Sequence, residues 1–144
     1  MKNPMRELLR EYNAVIKETD AVYGRFARAS GLSDAAFWLL YAIWDMEGPC
    51  TQQDVSRQWT MSKQTVNSAM KGLAAKGLIR LDPEGKRAKR IFLTDEGAAF
   101  AARYVAPVFA AEEQALLRMS DEERSAMMDA NRRYLALLRQ EAGG

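Results

Sequence analysis

Residues 62–77 carry the start and stop signals of one amphipathic helix. Ser62 is a favoured N-cap, because its hydroxyl can accept a hydrogen bond from a backbone N–H of the first turn, and Met61 and Val66 are spaced as a hydrophobic staple around it. Gly77 is a usual C-cap residue. At about 100° per residue, one face is apolar and is expected to pack. It consists of Val66, Met70 and Leu73.

The opposite face of this helix, here called the polar face, consists of Gln64, Asn67, Ser68 and Lys71. Side-chain amides can pair with adenine, lysine and hydroxyl groups can reach guanine or phosphate, and a helix N-terminus favours an anion. The alternative is that these side chains are simply solvated, as most polar helical faces are. The helix by itself does not distinguish the two interpretations.

The neighbouring segments complete a winged helix-turn-helix pattern. Residues 51–59 read as a short helix with a Thr51-x-x-Asp54 capping box, and Thr60-Met61 form the turn. Two strand-like runs follow at residues 78–81 and 90–93, and the connection between them contains Pro83 and Gly85, which mark a hairpin turn. The basic residues of this hairpin are Lys86, Arg87, Lys89 and Arg90. The predicted fold class is therefore mainly α with a small β-hairpin wing.

Charge is concentrated on this central module. Residues 51–94 contain nine basic and three acidic residues, a net charge of +6, whereas the rest of the chain carries −4 and the whole chain +2. A basic module within an acidic frame favours binding to a phosphate backbone, because each neutralised phosphate releases counterions.

Long helices flank the module. The first has an apolar stripe at three- and four-residue steps, and the second begins at the N-cap Ser33, is apolar on nearly every side and should end at Gly48-Pro49. Pro107 is expected to bend the third rather than divide it, and Ser120 begins a capping box for the last. The predicted helices span residues 4–29, 34–47, 95–118 and 121–140.

The apolar stripes of the first helix and of the last two need partners that a small winged module does not supply. The economical arrangement is a homodimer in which the terminal helices of two chains pack across a two-fold axis. We therefore predict dimerisation helices at residues 1–32 and 98–144 around a DNA-binding module at residues 33–97, in one intertwined domain.

The order of these elements resembles the MarR family of winged-helix transcription regulators. The resemblance is carried by Ser62-Lys63-Gln64-Thr65-Val66-Asn67-Ser68, by Lys76-Gly77-Leu78-Ile79, by the basic hairpin and by Leu93-Thr94-Asp95-Glu96-Gly97. It is strongest over residues 50–97, and the flanking helices agree in length and order. It implies a triangular dimer with two winged modules, and such a dimer predicts an inverted-repeat operator with half-sites about one helical turn apart.

The polar face is predicted to contact base edges or nearby phosphates, Ser62, Lys63 and Thr65 to contact phosphates, and Lys86 and Arg87 to enter the minor groove. Further backbone contacts are predicted for Gln52, Gln53, Arg57, Lys89 and Arg90. Family members commonly have an Asp before the basic residues of the wing tip. This chain has Gly85 there, with Glu84 one residue away.

The resemblance also implies a small aromatic or anionic effector, bound between the winged module and the dimerisation helices. For each of the residues concerned, a plain core role is the favoured alternative, because aromatic side chains dominate ordinary cores. The predicted ligand residues are Tyr12, Phe37, Trp38, Tyr41, Trp44, Tyr104, Arg25 and Arg28.

Other functions fit less well. An enzyme is disfavoured because the chain has no His, no glycine-rich phosphate loop and a single Cys, and neither a metal nor a cofactor is expected. Cys50 is either an oxidant sensor, as in some regulators of this kind, or a small buried apolar residue. No run is long enough to span a membrane and no signal peptide is recognisable, so a cytoplasmic protein is expected. The alternative function is a winged helix that contacts RNA or protein without an operator.

Overall fold

The computed structural model describes residues 1–59, 61–82 and 90–143. In these ranges the chain forms seven helices and a three-stranded antiparallel sheet, which confirms the predicted fold class. The chain divides into two compact units, Met1–Val108 and Phe109–Gly144. The elements are α1 (Pro4–Ser30), α2 (Asp34–Asp45), β1 (Cys50–Thr51), α3 (Gln52–Trp59), α4 (Lys63–Ala75), β2 (Ile79–Asp82), β3 (Arg90–Leu93), α5 (Asp95–Tyr104), α6 (Ala106–Arg118) and α7 (Asp121–Ala142).

Helix α1 begins and ends close to the predicted positions. The Asn3 side-chain oxygen accepts hydrogen bonds from the backbone N–H groups of Met5 and Arg6, and Gly31 closes the helix with φ 74°. Its apolar stripe is not covered within one chain: Leu8 is 57% exposed and Val15 60% exposed. None of the helices in the described ranges combines the length and apolar character that crossing a bilayer requires.

Helix α2 is the centre of the core, as predicted. It packs against α1, α3, α4 and α5, and Ser33 caps it by accepting a hydrogen bond from the Ala36 N–H. Its buried residues are Ala36, Phe37, Leu39, Leu40, Ala42 and Ile43.

The predicted end of α2 at Gly48-Pro49 is wrong. The helix ends at Asp45 with Met46 as the C-cap, and the left-handed residue is Glu47, with φ 53°. The reason is a tightened last turn, in which the Met46 N–H donates to the Ala42 carbonyl and the Glu47 N–H donates to the Trp44 carbonyl. The left-handed residue that follows α2 is therefore Glu47, one position before Gly48.

The sheet has the order β1-β3-β2, with β3 antiparallel to both neighbours. Ile79 pairs with Leu93 across β2 and β3, and Cys50 pairs with Ile91 across β1 and β3. Strands β2 and β3 confirm the predicted pair, although β2 begins one residue later than expected. The two-residue strand β1 was not predicted. The predicted hairpin turn, Thr60, Lys86, Arg87 and Lys89 lie outside the described residues.

The prediction of one bent helix through Pro107 is wrong. Helix α5 ends at Tyr104 and α6 begins at Ala106. Proline has no N–H to donate to the carbonyl four residues earlier, and its ring crowds that carbonyl. A short turn therefore separates the two helices, and in it the Val108 N–H donates a hydrogen bond to the Val105 carbonyl at 2.9 Å.

Within the second unit, the predicted capping box of α7 is confirmed. The Ser120 hydroxyl accepts from the Glu123 N–H, and the Glu123 carboxylate accepts from the Ser120 N–H. In the described part of the chain, no residue of α7 is buried. Its exposed apolar residues are Met127, Met128, Tyr134, Leu135, Leu137 and Leu138.

Candidate nucleic-acid interface

Helix α4 is held at both ends by the residues that the sequence indicated. The Ser62 hydroxyl oxygen accepts from the Thr65 N–H at 3.1 Å and lies 2.7 Å from the Thr65 hydroxyl. At the other end, the Gly77 N–H donates to the Ala74 carbonyl and the Leu78 N–H donates to the Leu73 carbonyl, while Gly77 has φ 74°. This is a Schellman motif, which satisfies carbonyl groups that the last turn would otherwise leave free.

The two faces of α4 have the predicted burial. Val66, Ala69, Met70 and Leu73 are buried, and the helix packs against α2, α3 and β2. Each residue of the polar face is exposed, as are Ser62, Lys63 and Thr65. Because the buried side fixes the rotation of the helix, the exposed amide, hydroxyl and ammonium groups form a row with a defined direction.

Helix α3 lies against α2 and α4 and completes the helix-turn-helix. Its capping box is present: the Asp54 N–H donates to the Thr51 hydroxyl, and the Thr51 N–H donates to the Asp54 carboxylate at 2.9 Å. The hydrogen bond from the Thr51 backbone is the main cause that lowers the pKa of Asp54 from its ordinary value. Gln53 and Arg57 are exposed on this helix, and Gln52 is half-buried.

Thr94 ties the strands of the wing to the end of α4. Its hydroxyl donates to the Gly77 carbonyl at 2.6 Å and accepts from the Gly97 N–H at 2.9 Å. The Thr94 N–H donates to the Leu78 carbonyl. These bonds hold the start of β2 against the start of α5, so the strands that lead into the wing have a fixed position beside α4.

Two exposed cations lie on these strands. Arg90, a predicted backbone contact, is the first residue of β3. Arg80 of β2 was not among the predicted contacts, and its guanidinium carbon lies 5.1 Å from the centroid of the Phe92 ring. The alternation of side chains along a strand could have identified Arg80 from the sequence. Arg80 lies between the apolar residues Ile79 and Leu81, so its side chain is on the opposite face of the strand from theirs.

Cys50 is buried in β1 and is 3% exposed. Burial, together with the nearby Asp54 charge, raises the pKa of its thiol to about 11. At neutral pH the thiol is therefore protonated, which is the form that reacts poorly with oxidants. This fits the interpretation of Cys50 as a small buried apolar residue.

The structure brings together three of the eight predicted ligand residues. Around Trp38 lie the rings of Tyr23, Phe37, Tyr41 and Trp59, with centroid separations of 5.1–5.7 Å. Phe37 is fully buried and belongs to the core. Tyr23 and Trp59 were not predicted, since they come from helices that are remote in sequence from Trp38.

The other predicted ligand residues are distributed over the first unit. Trp44 is near the opposite end of α2. The Tyr104 ring lies beside the Phe100 ring within α5, with 4.7 Å between the ring centroids and 47° between the ring planes. The remaining three are exposed on α1: Tyr12, Arg25 and Arg28.

A helix-turn-helix followed by two antiparallel strands, with a run of basic residues between them in the sequence, defines a winged helix-turn-helix protein. The sequence model of the MarR family matches residues 30–88, the part that contains α2 to β2. The structure is similar to that of NMB1585, a MarR family regulator from Neisseria meningitidis, with 25% identity, a TM-score of 0.73 and coverage of 98% of this chain and 96% of that one. The chain thus resembles MarR family regulators in sequence over residues 30–88 and in fold over nearly its whole length.

Two further structures share the fold. S. aureus MepR, solved with DNA, has 20% identity and a TM-score of 0.71, over 90% of this chain and 96% of that one. Bordetella bronchiseptica BpsR has 24% identity and a TM-score of 0.67, over 92% of this chain and 98% of that one. No curated protein matches the sequence. The chain thus shares its fold with these regulators.

Proposed function

We propose that this chain is a sequence-specific repressor of the MarR type that binds double-stranded DNA as a homodimer on an inverted-repeat operator. The observation that carries the proposal is the polar face of α4, which is exposed along its length while the opposite face is buried. A row of amide, hydroxyl and ammonium groups on a capped, firmly packed helix suits the major groove.

In this proposal the polar face contacts base edges and nearby phosphates. At the helix start, Ser62, Lys63 and Thr65 contact the DNA backbone, because the N–H groups and dipole there favour a phosphate. Gln52, Gln53, Arg57, Lys89 and Arg90 add backbone contacts, and Lys86 and Arg87 enter the minor groove. The net charge of +6 on residues 51–94 supports this assignment.

The homodimer is supported by the apolar side chains that one chain leaves exposed on α1 and α7. Contiguous exposed apolar surface on a globular protein marks an interaction site. We assign residues 1–32 and 98–144 to dimerisation and residues 33–97 to DNA binding. Such a regulator would act in the cytoplasm, where its operator is.

Release from DNA by a small aromatic or anionic effector is part of the same proposal. BpsR supports it, because its DNA binding is regulated by 6-hydroxynicotinic acid. In this chain, Trp38 and Tyr41 with their ring neighbours are the proposed aromatic contacts. The buried Trp59 Nε1–H and Ser56 hydroxyl have no hydrogen-bond partner among the described residues, so both could donate to an effector oxygen.

Selection from random duplex DNA with the purified full chain tests DNA recognition. We expect enrichment of an inverted repeat whose half-sites lie about 10 base pairs apart. In a mobility-shift titration, that duplex should compete for binding and structured RNA should not. Failure to enrich any duplex, or equal competition by RNA, would favour the alternative of a winged helix that contacts RNA or protein.

A further inference from the structure

A cavity of about 370 Å³ opens between the end of α2 and strand β3. Trp44, Glu47, Pro49 and Phe92 contribute to its lining, together with aliphatic residues of α2 and β3. A volume of this size suits a small organic ligand. The cavity contains no residue of α3 or α4, and Trp44 is the one lining residue that the sequence analysis predicted to bind an effector.

The charge of the lining selects the ligand class. Among the described residues that line the cavity, Glu47 carries the only charge, and its neighbours are apolar or glycine. An apolar cavity with one carboxylate favours a ligand that joins a hydrophobic body to a positive charge. A carboxylate or phenolate ligand would be repelled by Glu47.

The aromatic residues favour the same class. Trp44 and Phe92 both line the cavity, and the faces of indole and phenyl rings attract cations. Phe92 already holds one cation, the guanidinium of Arg80, over its ring. Because the Arg80 charge would oppose a second cation beside Phe92, the ligand cation belongs near Glu47 and Trp44, with its apolar body toward β3.

The backbone at Glu47 points to a role for its side chain. Glu47 has φ 53°, which is a left-handed backbone conformation. This conformation is unfavourable for a residue with a Cβ atom, whereas glycine adopts it without strain. Gly48 follows this position by one residue and therefore does not relieve the strain at Glu47. Strained residues of this kind occur often at ligand and active sites.

We propose that this cavity binds a small aromatic organic cation, with the ammonium group at Glu47 and Trp44 and the ring against the apolar residues of β3. Binding does not depend on DNA, so this inference and the proposed DNA function can fail separately.

The test is isothermal titration calorimetry of the full chain with benzyltrimethylammonium as the cationic probe, and with benzyl alcohol and benzoate as neutral and anionic comparisons. We expect the cation to bind more tightly than either. Glu47→Gln should weaken cation binding about three- to fivefold, the value of an exposed ion pair. Glu18→Gln removes the same charge from α1, at a residue that does not line the cavity, and should leave the affinity unchanged.

A second variant separates the ligand role from folding. Glu47→Gly should also weaken binding while the melting temperature stays equal or rises, because glycine relieves the backbone strain. In a ¹H–¹⁵N spectrum, the probe should shift the indole signal of Trp44 and leave those of Trp38 and Trp59 in place. Absence of binding at millimolar cation, equal binding of benzoate, an unchanged affinity of Glu47→Gln, or shifts at Trp38 and Trp59 instead would each overturn the proposal.

Discussion

At Gly97 there is no room for a side chain. A Cβ atom there would lie 1.8 Å from the carbonyl oxygen of Leu78 and 2.8 Å from its carbonyl carbon. Both are backbone atoms, and the same Leu78 carbonyl accepts the Thr94 N–H. The close approach joins α5 to the start of the wing strands, which gives a physical reason for the Thr94-x-x-Gly97 spacing in this chain.

Gly97→Ala should therefore lower the free energy of unfolding by about 3 kcal/mol, because the methyl group can be accommodated only by moving one backbone segment away from another. Urea denaturation followed by circular dichroism measures this change. Gly72→Ala in α4 is the matched control: among the described atoms nothing lies within 4 Å of its added Cβ. Alanine there should raise stability by up to about 1 kcal/mol. Similar losses from both substitutions would contradict the steric argument.

Among the helices, α4 has one buried apolar face and one solvent-exposed polar face. Lys71 is exposed on the polar face and contributes nothing to the core. Any effect of its removal on DNA binding should therefore occur without an effect on folding.

Lys71→Ala should weaken operator binding and reduce the slope of log affinity against log salt by about 1, because one phosphate neutralisation is lost. Mobility-shift titrations at several salt concentrations give both quantities, and thermal denaturation should show an unchanged melting temperature. Lys17→Ala on α1 removes the same charge away from the polar face and should change neither. We expect Arg87→Ala to behave as Lys71→Ala does. Unchanged affinity in both variants would refute the interface.

The start of α7 depends on pH through its capping box. Hydrogen bonding by the Ser120 backbone, and then by its hydroxyl, lowers the pKa of Glu123 from its ordinary value. The ionised carboxylate is thus the stabilising form. Its contribution is complete above the pKa of Glu123 in the unfolded chain and is lost as pH falls through the lowered pKa of the folded chain.

The stability difference between the wild type and Glu123→Gln should therefore be greatest near neutral pH and should disappear in acid. Denaturation of both proteins across an acidic pH series measures it. Glu122→Gln changes the adjacent residue, which lies outside the capping box, and should give a smaller pH-dependent difference. A difference for Glu123→Gln that stays constant with pH would contradict the capping role.

At the scale of the whole molecule, a single chain leaves large apolar side chains exposed to solvent. On α7, Leu135 is 45% exposed and Leu138 48% exposed, and α1 exposes residues of the same kind. A second copy is the proposed occupant of this surface.

Leu135→Glu should convert the chain to a monomer at micromolar concentration, because a carboxylate in a dimer interface would lose its hydration. Sedimentation equilibrium measures the mass. Gln140→Glu introduces the same charge on α7 at a polar position and should remain dimeric. A monomeric wild type would remove the basis for the inverted-repeat operator, and a dimeric Leu135→Glu would place the interface elsewhere.

Much of the fold could be predicted from residues close together in sequence. The caps at Ser33, Ser62 and Ser120 each act within one helical turn, and all three helices begin where these residues indicate. The polar face of α4 followed from helical periodicity in the same way. Local signals of this range define the helix-turn-helix and the motifs that carry the family resemblance.

Other features were decided by the tertiary structure. Strand β1 is two residues long and exists because Cys50 and Thr51 pair with a strand some forty positions later. The ring of Trp59 joins Trp38 from a different helix, and the end of α2 at Asp45 depends on a turn that places Glu47 rather than Gly48 in the left-handed conformation. A sequence determines interactions within a few residues through backbone geometry, whereas pairing and packing between distant residues depend on which segments the folded chain brings into contact.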